Sequence, residues 1–423
     1  MNKTFYDSIG ETVLSKQCKS GLRVFVIPKE GYKKTYALLA TDFGSIDRHF
    51  LLDGNEVEVP DGIAHFLEHK MFEQEDGSNA FDEFAKYGAN ANAYTSFEMT
   101  AYLFSTAEGF DECLSHLLSY VYSPYFTDEN VAKEQGIIGQ EIKMYDDNPG
   151  WSVFFGMLKG LYKNHPINID IAGTCEEIAK ITKESLYTCY NSYYHPQNMM
   201  LCVVGAADAE KVFEIAEKIV PVKPYKKAET ILPEEGCEVA DEFIQRKMSV
   251  ANPIFSIGFK EEYPENVTEG QAAYTVLLQY MLGKTSPLYN RLYENGDIFE
   301  LTASFNISRG CAFAEIAGEA ENPQKVYDEI LKEIERFKKE GFDEDEVTVI
   351  KKALYGQYLR KLNDVENIAG SFVSYAFLGG DFLKYGERLL SVNADMLNKL
   401  LQKGFEKSTL SQVLPIKEEG GKA

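Results

Sequence analysis

Two histidines and a glutamate lie within five residues of one another in this chain, in the sequence HFLEH. Only six of the 423 residues are histidine, which makes the spacing of His65 and His69 unusual. On a helix, residues four positions apart face the same side, about 6 Å apart along the axis, and can present two imidazoles to one metal ion. Glu68 shares that face, where its carboxylate could accept a proton from a water molecule that attacks a carbonyl group. The pattern predicts a hydrolytic metal site.

A catalytic zinc site needs a third protein ligand and one open position. Residues 128–145 are predicted to form a helix, and Glu134 and Glu141 lie on one face of it because they are seven positions apart. One of these carboxylates could reach the ion, and the other could accept a hydrogen bond from a ligating histidine. Either His65 or His69 alone is more simply explained as an ordinary structural residue, and only their joint pattern favours a metal.

The elements that must position these residues are strands and helices in mixed order. Apolar and β-branched runs ended by proline or glycine predict strands at 22–28, 35–45 and 199–207 and a strand pair within 92–106. Helical periodicity predicts helices at 63–72, 81–88, 111–123 and 128–145. Hairpins outnumber strict strand–helix alternation, which favours an α+β fold over a doubly wound sheet.

The second half of the chain repeats the first. Residues 126–141 align without gaps with residues 342–357, and residues 80–96 resemble residues 288–304. Two matches in the same order favour duplication of one α+β unit over chance similarity of amphipathic helices.

The two copies differ where the first carries its polar motif. At that place the second copy has Tyr274, Leu277 and Leu278, so chemistry is predicted in the first copy alone. A charged, proline-containing stretch separates the copies. We therefore predict homologous domains at 1–222 and 239–423, joined by a linker at 223–238.

The bulk composition limits the partners and the compartment. A formal net charge of −23 disfavours nucleic acids and anionic membranes as partners. The N-terminal residues contain no apolar segment typical of a secretory signal, and no run approaches the ~20 apolar residues of a membrane span. Seven scattered cysteines without a CxxC pair are typical of a reducing compartment. We expect a cytoplasmic protein without a cysteine metal site.

The order H-x-x-E-H resembles the motif of the insulinase/pitrilysin family, the inverzincin zinc peptidases. Other stretches resemble that family in the expected order: GANANAYTSFEMTAY, KEQGIIGQEI, DNPGWSVFF and IAGT followed by YYHPQNMML. The resemblance covers nearly the whole chain and is strongest to the YmfH-like subunits, zinc-bearing chains usually paired with a zinc-less sister. It implies two homologous α+β domains with mixed, mainly antiparallel sheets flanked by helices.

The resemblance also implies a zinc metalloendopeptidase that holds one Zn²⁺ per chain. His65, His69 and Glu141 would be the metal ligands, Glu68 the general base, and Glu134 the carboxylate that supports a ligating histidine. An edge strand would accept the peptide substrate as an added strand. The implied substrate-binding residues are Asn92, Ala93, Phe72, Tyr94, Trp151 and Phe154. Each of the aromatic residues could equally belong to a core.

The second domain departs from the pattern of active single-chain relatives, which carry an arginine and a tyrosine that anchor the substrate. Here Tyr293 stands near the expected arginine and Phe299 near the expected tyrosine. Phenylalanine has no hydroxyl group to stabilise an oxyanion. We therefore expect a heterodimer with a homologous zinc-less sister, with a homodimer as the alternative. A non-catalytic assembly subunit and a processing protease dedicated to one modified peptide are the alternative functions.

Overall fold

The computed structural model describes residues 1–416, which form two compact units. The first unit consists of Met1–Ile142, Asp170–Leu232 and Leu359–Leu383. The second consists of Lys143–Ile169, Pro233–Tyr358 and the segment that begins at Lys384. Each unit contains a mixed, mainly antiparallel sheet with helices packed on it. The predicted α+β fold class is confirmed.

The first unit is built on a seven-stranded sheet with the strand order β1-β2-β3-β9-β4-β8-β7. Only the β3–β9 pair of this sheet is parallel. A smaller sheet has the order β10-β5-β6. The strands are β1 (Asn2–Tyr6), β2 (Glu11–Gln17), β3 (Arg23–Pro28), β4 (Thr35–Thr41), β5 (His49–Leu52), β6 (Asn55–Glu58), β7 (Asn90–Thr95), β8 (Thr100–Thr106), β9 (Met199–Gly205) and β10 (Glu229–Thr230).

Eight helices lie wholly or mainly within the described part of the first unit. They are α1 (Ile63–Lys70), α2 (Ala80–Ala85), α3 (Phe110–Val121), α4 (Asp128–Asp146), α6 (Cys175–Ile178), α7 (Lys183–Tyr193), α8 (Ala209–Ile219) and α13 (Val365–Phe377). The central strands β4 and β9 are buried along their whole length, as expected for strands covered on both faces.

The second unit has a five-stranded sheet with the order β11-β15-β12-β14-β13. Its strands are β11 (Phe243–Met248), β12 (Ile254–Glu261), β13 (Ile298–Ser308), β14 (Cys311–Ala320) and β15 (Lys407–Pro415). Its helices are α5 (Pro149–Leu161), α9 (Val267–Leu282), α10 (Pro287–Glu294), α11 (Pro323–Glu340), α12 (Glu344–Lys361), α14 (Tyr385–Ser391) and α15 (Ala394–Lys403).

The predicted internal repeat agrees with the element boundaries. Helix α4 begins at Asp128 and α12 at Glu344, an offset of 216, which is the offset of the aligned sequences. Strand β7 begins at Asn90 and β13 at Ile298, an offset of 208. Each unit therefore uses one pattern of elements at equivalent places in its own sheet.

Equivalent helices of the two halves are exchanged between the units. Helix α5 packs on β12 and β15 of the second unit, although it precedes the predicted linker in sequence. Helix α13, which begins 216 residues after α5, packs on β4 and β9 of the first unit. The division at 223–238 stays a prediction about homology between the halves, because a cut there removes one helix from each compact unit.

Two further features concern the composition. Within residues 1–416, no helix is long and apolar enough to cross a membrane. None of the seven cysteines forms a disulfide, and five of them are buried as small apolar side chains. This arrangement agrees with the predicted use of the thiols, and the cytoplasmic compartment stays a prediction.

Candidate metal centre

Helix α1 holds the HFLEH motif, and its first turn is fixed by two glycines. Gly62, directly before the helix, has φ of 84°, a left-handed conformation that favours glycine. A side chain at Gly62 would run into the carbonyl group of Ala172, and one on Gly173 would lie 2.6 Å from the carbonyl oxygen of Asp61. The two backbone segments approach so closely that only glycine fits at either place. The IAGT stretch therefore sets where α1 begins.

The apolar face of α1 anchors the helix, and the polar face forms the site. Phe66 and Leu67 are fully buried. His65 and Glu68 are also nearly buried, at 8% and 7% exposure, although both side chains are polar. Buried polar groups are costly unless they have partners, so this face requires charged or metal partners.

Three predicted metal ligands come together on the polar face. Nε2 of His65 lies 3.7 Å from Oε1 of Glu141, and Nε2 of His69 lies 3.4 Å from Oε2 of the same carboxylate. One ligand atom from each of the three residues lies within 4.8 Å of the other two. Helices α1 and α4 thus bring two imidazoles and one carboxylate together, close enough to bind one ion.

This donor set suits zinc. Two histidines and one glutamate form a known catalytic zinc set, with bonds of about 2.0–2.2 Å that place neighbouring ligand atoms about 3.4 Å apart in a tetrahedron. The imidazole nitrogens of His65 and His69 lie 3.7 and 3.4 Å from different oxygens of Glu141, and all three groups are close enough for one ion to draw them together. Burial, together with the neighbouring charge of His69, lowers the pKa of His65 to about 4, which leaves a neutral imidazole that can bind metal.

Glu134 lies behind His69. It is on the same face of α4 as Glu141, two helical turns earlier. Its Oε1 is 3.1 Å from Nδ1 of His69. Burial alone would raise the pKa of Glu134, but the hydrogen bond to His69 and the ammonium of Lys70 lower it overall. The ionised carboxylate accepts from Nδ1–H, which directs the lone pair of Nε2 towards the site. Glu141 therefore lies against both imidazoles and Glu134 behind His69 alone, and the ligand and supporting roles that the resemblance implies for them stay predictions.

Glu68 is held by a residue of the edge strand. Oγ1 of Thr95 donates a hydrogen bond of 2.7 Å to Oε2 of Glu68. Burial raises the pKa of Glu68, and the hydrogen bond from Thr95 only partly opposes this shift. A carboxylate with a raised pKa accepts a proton more readily at neutral pH, as a general base requires.

A cavity of about 490 Å³ opens beside the candidate metal ligands, and Glu68, His69 and Glu134 line it. Asn92 of β7 and Phe72 also line it, and their role in substrate binding stays a prediction. The ring of Phe72 stacks on Phe81 at 4.3 Å between centroids, and Ile137 adds an exposed apolar side chain. The cavity therefore has one wall of polar and charged groups and one apolar wall.

The other predicted substrate residues have different positions. Ala93 and Tyr94 lie on β7, an edge strand of the seven-stranded sheet, paired with Tyr102 and Ala101 of β8. Trp151 and Phe154 lie on α5 in the second compact unit, where Trp151 stacks on Tyr145. Their place in a substrate cleft stays a prediction.

Two residues of the site were not anticipated from the sequence. Thr95 follows the predicted Tyr94 by one position, and Lys70 follows His69 directly. Thr95 is a common strand residue, so its type gives no signal. Lys70 did carry a signal, because a lysine directly between the HFLEH motif and the apolar residues Met71 and Phe72 interrupts the apolar pattern around it.

The comparison with known proteins decides the family. Residues 54–175 match the profile described as Insulinase (Peptidase family M16), and residues 180–354 match the profile of the peptidase M16 inactive domain. The uncharacterized zinc protease YmfH of Bacillus subtilis is 40% identical over 422 residues, which cover 97% of this chain and 98% of that protein. The chain belongs to the insulinase family, peptidase family M16. The resemblance found in the sequence is confirmed.

Solved structures of other proteins share the fold of this M16 chain. A crystal structure of an M16-like peptidase from Alicyclobacillus acidocaldarius has a TM-score of 0.92 and 33% identity, covering 96% of this chain and 99% of that one. A protease from Helicobacter pylori has a TM-score of 0.79 at 21% identity, covering 95% and 99%, which shows the fold alone. The part of this M16 chain that matches the inactive domain includes Tyr274, Leu277 and Leu278.

Proposed function

We propose that this M16 chain is a zinc metalloendopeptidase whose metal is held by His65, His69 and Glu141. The observation that carries the proposal is the convergence of three ligand atoms within 4.8 Å of one another, beside a buried glutamate. A non-catalytic assembly subunit has no need to keep this donor set, nor the supporting Glu134.

The chain's own residues perform the proton transfers. When bound, zinc supplies Lewis acidity that polarises the peptide carbonyl and lowers the pKa of water. Thr95 holds one oxygen of Glu68, so the other oxygen of the carboxylate can accept a proton from the attacking water. The same group can then donate that proton to the departing amine. Glu134 keeps the ring of His69 oriented throughout by accepting from Nδ1–H.

The substrate is proposed to be an extended peptide that adds to the sheet as a strand. Strand β7 lies at the edge of the seven-stranded sheet, so its outer backbone groups can pair with a peptide main chain. Asn92 and Ala93 lie on this strand, and Asn92 lines the cavity together with Glu68. The apolar wall formed by Phe72, next to the cavity, favours an apolar substrate side chain there.

Metal quantification on purified protein tests the proposed centre. We expect one zinc per chain in the wild type, none in His65→Ala, and one in His49→Ala, which removes a partly exposed imidazole elsewhere in the first unit. Glu68→Gln should keep its zinc and, in the active form of the protein, alone or mixed with the expected zinc-less sister, lose hydrolysis of a quenched fluorescent peptide by at least about a hundredfold. Equal zinc content in the wild type and His65→Ala would contradict the proposal.

We also propose that the active form is a heterodimer with a homologous zinc-less sister. Tyr293 and Phe299 support this, since they replace the expected anchoring pair and are 57% and 50% exposed in the second unit. The test compares peptide hydrolysis by the chain alone and after mixing with the sister. Activity should appear only in the mixture. Full activity of the chain alone would overturn this part, and a self-associated active chain would indicate the homodimer instead.

A further inference from the structure

Lys70 is the last residue of α1, and its side chain has no solvent exposure. Within residues 1–416 it is the only lysine or arginine in the buried class. A buried ammonium group is costly without charged partners, because it loses its hydration. The chain nevertheless places one directly after His69, a ligand of the proposed centre.

The partners of Lys70 are two carboxylates on different sides. Its Nζ donates to Oε2 of Glu73 at 2.6 Å and lies 3.5 Å from Oε2 of Glu134. The other oxygen of Glu134, Oε1, is 3.1 Å from Nδ1 of His69. A chain of contacts therefore runs from the ammonium through Glu134 to the imidazole, one oxygen of Glu134 serving each neighbour.

The positive charge of Lys70 compensates the negative charge of the neighbouring carboxylates. Glu134 and Glu68 line the same cavity, and two negative carboxylates in a poorly solvated environment repel one another. A nearby fixed cation offsets this repulsion. Because an ammonium group can only donate, it also fixes Glu134 as an acceptor, which in turn makes Nδ1 of His69 the protonated nitrogen.

We propose that Lys70 is a positioning residue of the metal centre. Its buried ammonium holds Glu134 against His69, and so raises metal affinity without touching the metal or the substrate. This inference rests on the proposed function and names a residue that the family motif does not include. The competing view is that Lys70 only stabilises the fold through Glu73.

A double-mutant cycle on zinc affinity separates the two views. The apparent Kd is measured by competition with a chromogenic chelator, on Lys70→Met in the wild-type background and in a Glu134→Gln background. Methionine keeps the unbranched shape and removes the charge. We expect Kd to rise about 10–100-fold in the wild-type background, the usual effect of losing an outer partner of a ligand, and less than about threefold in Glu134→Gln. Equal losses in both backgrounds would overturn the proposal.

Glu73→Gln is the matched control, since it removes the other partner of the ammonium and leaves Lys70 and Glu134 in place. Zinc affinity should change by less than about threefold. A loss equal to that of Lys70→Met would mean that Lys70 acts through Glu73, against the proposal. If Lys70→Met does not fold by circular dichroism, Lys70→Gln takes its place, with a loss of at least about tenfold expected.

The outcomes also separate this inference from the proposed function. A wild-type chain that binds no zinc removes the metal centre itself. A wild type that binds zinc, loses it in His65→Ala and keeps the same Kd in Lys70→Met removes only the role of Lys70.

Discussion

Thr95 and Glu68 are joined by a hydrogen bond of 2.7 Å from the threonine hydroxyl to the glutamate carboxylate. The bond connects edge strand β7 to helix α1, which are 27 residues apart in the sequence. The hydrogen bond therefore fixes the position of Glu68, the proposed general base, relative to β7, the strand proposed to bind the peptide.

Replacing Thr95 with valine removes this hydroxyl at nearly constant volume. We expect zinc content to stay at the wild-type level and kcat to fall about tenfold, because the carboxylate of Glu68 loses its fixed orientation. Thr95→Ser keeps the hydroxyl and should stay within about threefold of the wild type. Metal analysis, and steady-state kinetics on a fluorogenic peptide with the active form of the protein, alone or mixed with the sister, measure both effects. An unchanged kcat in Thr95→Val would show that the bond does not position Glu68.

Gly62→Ala should displace the start of α1. The new side chain meets the carbonyl group of Ala172 in addition to the unfavourable positive φ, so we expect a loss of about 3 kcal/mol or more in the free energy of unfolding. Gly54→Ala is the matched control: its φ is 78°, but a side chain there has open space around it. That variant should lose only about 1–2 kcal/mol. Similar losses in urea denaturation would show that the close approach at Gly62 is relaxed without cost.

Glu235 is expected to stabilise the second unit above acidic pH. Its carboxylate accepts from the backbone N–H groups of Asn164 and His165 at 2.7 and 2.8 Å, and from Lys260 at 2.8 Å. Burial alone would raise its pKa, but these donors, with Lys260 first, lower it to about 2. Since the folded-state pKa is below the unfolded value of 4.5, the contribution is present above pH 4.5 and disappears as the pH falls towards 2.

Glu235→Gln should therefore cost about 2 kcal/mol at pH 7 and progressively less below pH 4.5. Glu234→Gln, at the exposed neighbouring position, is the control and should change little. Urea denaturation at a series of pH values measures both variants. A cost that is constant from pH 7 to pH 3 would contradict the role of the charge.

Glu261 should have the opposite pH dependence. It is buried, accepts from the hydroxyl of Tyr274 at 2.6 Å and from the N–H of Phe405 at 2.8 Å, and burial raises its pKa to about 7. Since the folded-state pKa is above the unfolded value, the contribution is fully present below pH 4.5 and is lost as the pH rises through 7. The loss amounts to roughly 3 kcal/mol at most.

Glu261→Gln cannot ionise, so the decline of its unfolding free energy between pH 4.5 and 8 should be smaller than in the wild type. Glu262→Gln, at an exposed neighbouring position, should keep the wild-type slope. Parallel slopes in the wild type and Glu261→Gln would show that the buried carboxyl does not titrate in this range.

Helix α5 is an element that local sequence patterns do not reveal. It was not predicted, although it spans 13 residues. Its buried side chains lie all round the helix, so it lacks the one-sided apolar stripe that identifies a surface helix. Gly156 and Gly160 allow its backbone to approach Ser411 and Thr409 of β15 closely. Such a contact, some 250 residues apart along the chain, leaves no local periodic signal.

The sequence by itself determined many of the elements around the site and the chemistry they could carry. The i, i+4 spacing of His65 and His69, the repeat at an offset of 216 and the order of the motifs are local properties, since helical and strand periodicity follow from backbone geometry. Residue spacing left open which glutamate faces the imidazoles, and the tertiary structure places Glu141 there. Only the tertiary structure decided that Thr95 holds Glu68 and that Lys70 is buried against Glu134. These depend on how α1, α4 and β7 pack together. Packing is set by the burial of surfaces contributed by distant segments, and a single local stretch does not encode it.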